Sequence, residues 1–385
     1  EVEAKNGLNV VTTIDSDAQK LTEDIIADYQ KTEGAENVGI ILMNPNNGEI
    51  YVMASNKGYD LNNPRDLTGY FSQKEIDAMS DDKKLEELSN IWKNYCTSDT
   101  YEPGSTFKPF TVAACLEENV VKKKQQFYCK GYEIVMDRKI RCAKRDGHGM
   151  ITLSQSLEQS CNVTMMQIVR KLGRKDFARY QDIFGIGSRT GIDFPGETTG
   201  LVYNEAQLNP VELATSSFGQ GVSVTMIQMA AGFSSLINGG TYYKPHLVKE
   251  LVDDNGVVVE KKEPVVMKKT VTKDTSEFIQ KALYETVEQG TGWRAKSEGY
   301  KMAGKTGTAQ KLDNINGKLV RSDTNYVISF IGCAPYDNPQ VVVYVVVDQP
   351  KVKDQTANGI ASALAKKVAE NVFKVLGIYP EKTKE

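Results

Sequence analysis

Val341-Val-Val-Tyr-Val-Val-Val347 runs for seven residues without a polar interruption, and the architecture follows from it. A strand with one face in water alternates apolar and polar residues. This one does not, and its β-branched side chains suit a pleated surface, so it is expected to be a strand buried on both faces. Moving outward, Tyr326–Ala334 and Lys301–Gln310 are also short, β-branched and bounded by turn residues, and read as strands. Ala357–Leu376 follows, amphipathic through Ile360, Leu364, Val368, Val372 and Leu376, and reads as a helix. At the other end, Ser16 is the expected cap of a helix carrying Ala18, Leu21, Ile25, Ile26 and Tyr29 at helical spacing. Val38–Asn44, the turn Asn44-Pro-Asn-Asn-Gly48 and Glu49–Ser55 then form a β-hairpin. Between about Asn56 and Tyr300 the patterns are helical: Thr152–Leu172, Val224–Leu236, and Ser276–Gln289 closed by Gly290-Thr-Gly292. The economical assembly is an α+β fold. A five-stranded antiparallel sheet is flanked by the terminal helices on one face and an all-helical subdomain on the other. Residues 1–385 then form a single domain, with 7–55 and 295–380 as the sheet part and 56–294 as a mainly helical insertion. There is no internal repeat.

The 385 residues are 25% charged with a formal net charge of −3, which fits a globular chain and excludes the broad basic field of a nucleic-acid binder. Lys122, Lys123 and Lys124 read as a solvated helix end. No apolar run reaches the roughly 18 residues of a membrane span. No signal peptide is apparent, and the start at Glu1 suits either a cytosolic protein or an excised soluble part of a longer one.

Three short stretches carry chemistry. In Glu102-Pro-Gly-Ser-Thr-Phe-Lys108-Pro, Gly104 makes a tight turn, and Phe107, Val112, Ala113 and Leu116 take up a helical period. Pro109 is tolerated only near a helix start, so Ser105 sits at a helix N-terminus with Lys108 one turn on, along the same face. A serine hydroxyl needs a base beside it, and a lysine serves only if its pKa is pulled down from about 10.4. In Gln159-Ser-Cys-Asn162, a turn before a helix presents Ser160 and Asn162 to one cleft. In Ala303-Gly-Lys-Thr-Gly-Thr-Ala309, strand alternation puts Lys305 and Gly307 on one face and Thr306 and Thr308 on the other. Gly307 leaves room for a second backbone, and an extended peptide can pair beside this strand with its carboxylate held by a cation and hydroxyls. Each stretch alone is commonplace. The set in this order is specific, and it points to a serine acyl-transfer enzyme.

With these motifs the chain resembles the class B penicillin-binding proteins, and most closely the division and sporulation type of Gram-positive bacteria. The likeness runs from Gly7 to about Gly377. It includes Thr13-Ile-Asp15, Tyr101–Lys108, Ser160-Cys-Asn162, Gly219-Gln-Gly221 with Thr225 and Gln228, Gly290-Thr-Gly292 and Gly304–Thr308. The resemblance implies the penicillin-binding-protein transpeptidase fold, shared with serine β-lactamases. It implies a D-alanyl-D-alanine transpeptidase that cross-links peptidoglycan stem peptides, needs no cofactor for catalysis and is acylated by β-lactams. Ser105 is then the nucleophile, Lys108 the acylation base and Ser160 a proton shuttle. Asn162 and Lys305 complete the catalytic set. The Ser105 and Thr308 N–H groups form the oxyanion hole, Lys305, Thr306 and Thr308 hold the terminal carboxylate, and Gly307 counts with Thr306 and Thr308 as substrate-binding. Family members carry a membrane anchor and an N-terminal pedestal, so the chain is expected to be an excised domain. Its parent would be membrane-anchored, face outside the cytoplasm and serve division or sporulation partners. A D,D-carboxypeptidase, a β-lactamase and a β-lactam sensor share these motifs, although no counterpart of the deacylating glutamate of class A β-lactamases is found.

The six cysteines raise a separate question. Cys115, Cys161 and Cys333 lie in apolar surroundings and are expected in the core. Cys129, Cys142 and His148 form Cys-x12-Cys-x5-His, with a small hairpin over Tyr132–Ile140 that brings the two cysteines together. Asp146 is the expected fourth ligand of a structural zinc, with Cys96 as the alternative. A Cys129–Cys142 disulfide or two free thiols are the competing readings.

Overall fold

The computed structural model describes residues 6–315, 317–356 and 359–381. Its main sheet is built from β1 (Ala35–Met43), β2 (Ile50–Ser55), β3 (Ala303–Ile315), β4 (Lys318–Ala334) and β5 (Val341–Pro350). The order across the sheet is β3-β4-β5-β1-β2, and every neighbouring pair is antiparallel. The central position of β5 is what its unbroken apolar run requires: residues 341 to 347 are all at 0% exposure. Their alternation feeds two cores. Val341, Val343, Val345 and Val347 pack with Val38, Ile40 and Leu42 beneath α1 (Ser16–Thr32) and the C-terminal helix Ile360–Val372, which supplies Leu364 and Val368. Val342, Tyr344 and Val346 join Ile41, Met43 and the helical part, including Phe110 and Met229. The predicted α+β assembly, with terminal helices on one face and the insertion on the other, is therefore present.

Several details differ. The first helix is capped by Asp15, whose carboxylate accepts the Ala18 N–H, and not by Ser16. The stretch Thr152–Leu172 is two helices, Leu153–Glu158 and Asn162–Ile183, because Ser160 takes a left-handed φ of 55° and breaks the run. The insertion is mainly helical but carries, besides the expected hairpin of Tyr132–Val135 with Arg138–Arg141, further short strand pairs such as Gln126–Cys129 with Gly149–Thr152. Four-residue strands are too short to show a period. β3 starts at Ala303, two residues later than expected, since Lys301 has φ 45°. The start of the last predicted helix, Ala357, lies outside the described residues.

Candidate active site

Ser105 lies in a 3-10 turn, Gly104–Phe107, that runs straight into α2 (Lys108–Glu117). The turn is held from both ends. Thr106 Oγ1 donates to the Pro103 carbonyl at 2.8 Å, and Gly104 N donates to the Gly219 carbonyl at 2.9 Å. Pro109 sits in the first turn of α2, where no intrahelical N–H is lost. Gly104 has φ 57°; a Cβ placed there would lie 2.8 Å from the Thr308 carbonyl oxygen, and a Cβ on Gly219 would lie 2.1 Å from the Gly104 carbonyl oxygen. The Ser105 turn and β3 thus touch backbone to backbone. Gly104→Ala is expected to cost about 2 kcal/mol or more, from the left-handed backbone and the clash together. Urea unfolding reads the loss, and an unchanged midpoint would count against this account of the turn.

α2 is a central helix, buried along Lys108 to Leu116, and this buries the Lys108 ammonium completely. Lys108 Nζ donates to Ser160 O at 2.6 Å, Ser160 Oγ at 3.0 Å and Asn162 Oδ1 at 2.7 Å. Burial pulls its pKa down to about 8, against a smaller raising effect from the Cys142 and Cys161 sulfurs. The positive φ of Ser160 is what turns its carbonyl and hydroxyl toward the same amine. Asn162 opens the next helix, and its Nδ2 donates to the Arg141 carbonyl at 3.3 Å.

β3 is an edge strand, paired on one side with β4. Lys305 is fully buried, and its Nζ donates to the Thr306 carbonyl at 3.1 Å. Burial, and then the Lys108 charge, hold it well below the usual lysine range. Thr308 is exposed and Thr306 partly so, on the opposite face from Lys305 and Gly307, as alternation predicted. The space at Gly307 is taken by the Ser329 hydroxyl of β4 and by the Pro103 carbonyl and Thr106, so the backbone it admits is the loop that carries Ser105.

Some participants escaped the sequence reading. Thr291, inside Gly290-Thr-Gly292, closes a helix and belongs to the family likeness, but its sequence context assigns it no contact with β3. Its hydroxyl accepts from Thr306 Oγ1 at 3.4 Å, and its N–H donates to the Glu158 carbonyl at 3.0 Å. Glu102 accepts two hydrogen bonds from Arg321 of β4, at 2.7 and 3.0 Å, and one from Gly221 N at 2.9 Å, which ties the segment before Ser105 to the sheet. Glu102 was inside a quoted motif, whereas nothing in the sequence pairs it with a residue 219 positions on. Beneath the turn, the buried Tyr101 and Tyr344 hydroxyls hydrogen-bond to each other.

Beside this cleft, ligand atoms of Cys129, Cys142, His148 and Cys161 all lie within 4.8 Å of one another. The predicted hairpin is present and does bring Cys129 and Cys142 together. The other ligand assignments change. Asp146 is exposed and outside the group, and Cys161, expected as a plain core residue, takes its place because the break at Ser160 carries it there. Cys96 is elsewhere, its thiol on the Ala54 carbonyl. All six cysteines are free, so the Cys129–Cys142 disulfide does not form. The Cys161 thiol faces Cys142 Sγ at 3.9 Å, which lowers the Cys142 pKa and raises that of Cys161, and His148 Nδ1 is 3.7 Å from Cys142 Sγ.

Residues 38–373 match the penicillin-binding protein transpeptidase domain. The chain is 39% identical to stage V sporulation protein D of Bacillus subtilis over 380 residues, covering 98% of this chain and 55% of that protein. It is 26% identical to the probable peptidoglycan D,D-transpeptidase PenA of Neisseria meningitidis serogroup A, covering 98% of this chain and 59% of that one. It therefore spans about half the length of these curated relatives. The crystal structure of penicillin-binding protein 3 from Mycobacterium tuberculosis complexed with aztreonam superposes with a TM-score of 0.84 at 27% identity, covering 100% of this chain and 83% of that chain. With the domain match spanning most of the sequence and the fold shared from end to end, the chain belongs to the penicillin-binding protein transpeptidase family, in its class B branch.

Proposed function

We propose that this domain is a D-alanyl-D-alanine transpeptidase that cross-links peptidoglycan stem peptides through an acyl-enzyme on Ser105. The observation that carries the reading is Lys108: a buried amine one helical turn from Ser105, with its pKa brought down to about 8 and its orientation held by Ser160 and Asn162. An ammonium spends its three N–H donors on the three acceptors found here. The neutral amine gives up one of them and turns a lone pair on the Ser105 hydroxyl. Ser105 Oγ then attacks the penultimate D-Ala carbonyl and Lys108 takes its proton. The Ser105 and Thr308 N–H groups receive the oxyanion, and D-Ala leaves with a proton relayed through Ser160. The donor peptide adds along the free edge of β3, with its carboxylate at Thr306 and Thr308 and the charge of Lys305 behind them. A cavity of about 350 Å3 lined by Tyr101, Glu102, Ala309 and Gln310 continues that track. β-Lactams enter the same path; the aztreonam bound by the M. tuberculosis relative supports this. The test is to label the protein with a fluorescent penicillin, map the label by peptide mass spectrometry, and analyse products with an amine acceptor. Label on any residue other than Ser105 rejects the mechanism. Hydrolysis without dimer formation makes the domain a D,D-carboxypeptidase.

The reaction belongs outside the cytoplasmic membrane, where stem peptides are joined, and the name of the B. subtilis relative supports a place in sporulation. Among the described residues no helix is long and apolar enough to cross a membrane.

We also infer that Cys129, Cys142, Cys161 and His148 hold a structural zinc ion. Three sulfurs and one imidazole are a standard closed zinc set, and thiolates about 3.8 Å apart fit tetrahedral Zn–S bonds. The separations here, 3.9 Å between Cys142 and Cys161 and 3.7 Å from Cys142 to His148, suit that geometry. The ion would fasten the Tyr132–Arg141 hairpin to the start of the Asn162 helix.

A further inference from the structure

The hairpin formed by Tyr132–Val135 and Arg138–Arg141 has a role in the cleft that the chemistry above leaves unassigned. Cross-strand partners share a face, so Tyr132 with Arg141 and Ile134 with Lys139 point one way, and Glu133 with Ile140 and Val135 with Arg138 the other. The second face turns inward. Val135 is buried, Ile140 packs on the core, and Glu133 is engaged by Gln167 at 2.8 Å and Arg170 at 3.8 Å. The first face is open. Ile134 is 52% exposed, and Lys139 and Lys130 place their ammonium groups 4.0 and 4.9 Å from the Tyr132 ring centre. Among the described residues, Lys130, Lys139 and Arg141 form no ion pair. Residues 129–149 carry six cationic and three acidic side chains in a chain of net charge −3. This is a cationic, aromatic surface whose Lys130, Lys139 and Arg141 charges have no carboxylate partner among the described residues.

Its position gives the surface a use. Arg141 offers its carbonyl to Asn162 Nδ2, and Asn162 Oδ1 accepts from Lys108. The hairpin therefore enters the cleft from the Asn162 side, while the free edge of β3 enters from the Gly104 and Thr308 side. An acyl donor needs the β3 edge. A second substrate must reach the acyl carbonyl by another route and leave a proton with the Lys108–Ser160 pair.

We propose that the open face of this hairpin binds the acceptor stem peptide by its carboxylates and guides its amine to the acyl group on Ser105. The inference rests on the transpeptidase reading and names the acceptor subsite within it. In the step served, the amine nitrogen forms the new amide bond, the ester bond from the carbonyl carbon to Ser105 Oγ breaks, and the amine proton passes through Lys108 and Ser160 to Ser105 Oγ. A positive field fits both halves of such an acceptor. It attracts the carboxylates and disfavours the ammonium form, so it favours the neutral, nucleophilic amine.

The test uses Lys139→Glu and Arg141→Glu, both exposed positions, with Lys374→Glu on the C-terminal side of the last helix as a remote charge-reversal control. Two acceptors are compared: a stem peptide with free carboxylates, and the same peptide with its carboxylates amidated. Acylation by fluorescent penicillin is measured in parallel as the reference. The expected result is a rise of about tenfold in half-saturating free-carboxylate acceptor, relative to any change in acylation, with diversion to hydrolysis. The amidated acceptor and the control should show no such rise. Equal losses for both acceptors, or wild-type saturation in both variants, overturn the proposal. So does loss of binding to phosphatidylglycerol vesicles with acceptor saturation unmoved, which would make the face a lipid contact. If wild-type protein is not acylated by penicillin at all, it is the transpeptidase reading that fails.

Discussion

Ser105→Ala is expected to abolish covalent labelling by β-lactams, and Lys108→Ala to slow acylation by about a thousandfold, the scale of a well-placed general base. The position of Lys108 decides the size of the effect. A surface lysine stays protonated at neutral pH and is no base. Here the amine is completely buried with its pKa down to about 8, so a usable fraction is neutral. The sign of the pH dependence follows: the active form is the deprotonated one, so acylation rises with pH and levels off above about 8. Two units below that, the rate is about a hundredfold lower. Lys108→Arg separates the base from a mere positive charge, because a guanidinium keeps its proton throughout. Stopped-flow acylation across the pH range measures both effects. Retention of more than about a tenth of the wild-type rate by Lys108→Arg would remove the general-base role.

The second large effect is expected from metal removal. Protein purified without added metal should contain one zinc ion per chain by elemental analysis, with Cys129, Cys142, Cys161 and His148 as ligands. Chelation, or the double substitution Cys129→Ser/Cys142→Ser, is expected to lower the melting temperature by on the order of 5 °C. The main sheet has its own two cores, so the loss is local: hydrogen exchange should quicken over residues 129–149 and not in the helix Lys273–Glu288. Acylation should fall too, since the hairpin carbonyl of Arg141 positions Asn162, which in turn holds Lys108. Metal-free protein with an unchanged melting temperature and six titratable thiols would defeat the zinc site.

Much of the fold was legible because its signals are local. The run Val341–Val347 announces a strand covered on both faces, and the amphipathic stripes of the terminal helices say what covers one of them. The Tyr132–Ile140 hairpin was legible, but the pair Gln126–Cys129 with Gly149–Thr152 was not, because four residues cannot display a period and these two strands are not joined by a tight turn. The catalytic candidates were legible as motifs. Glu102 with Arg321, and Thr291 with Thr306, were not, since each pair joins segments whose approach depends on the whole sheet being assembled.

Of Ser105 and its neighbours, the sequence by itself determined the types and the order: a serine at a helix start, a lysine one turn on, a Ser-Cys-Asn turn and a Lys-Thr-Gly-Thr strand. Only the tertiary structure decided what those residues can do. It buried Lys108 and Lys305 and so lowered their pKa values, and it bent the chain at Ser160 so that one residue faces Lys108 while the next, Cys161, faces Cys129, Cys142 and His148. Spacing along a chain fixes which side chains share a helix face or a strand face. Desolvation, and the meeting of groups from distant segments, arise only once the cores have closed around them.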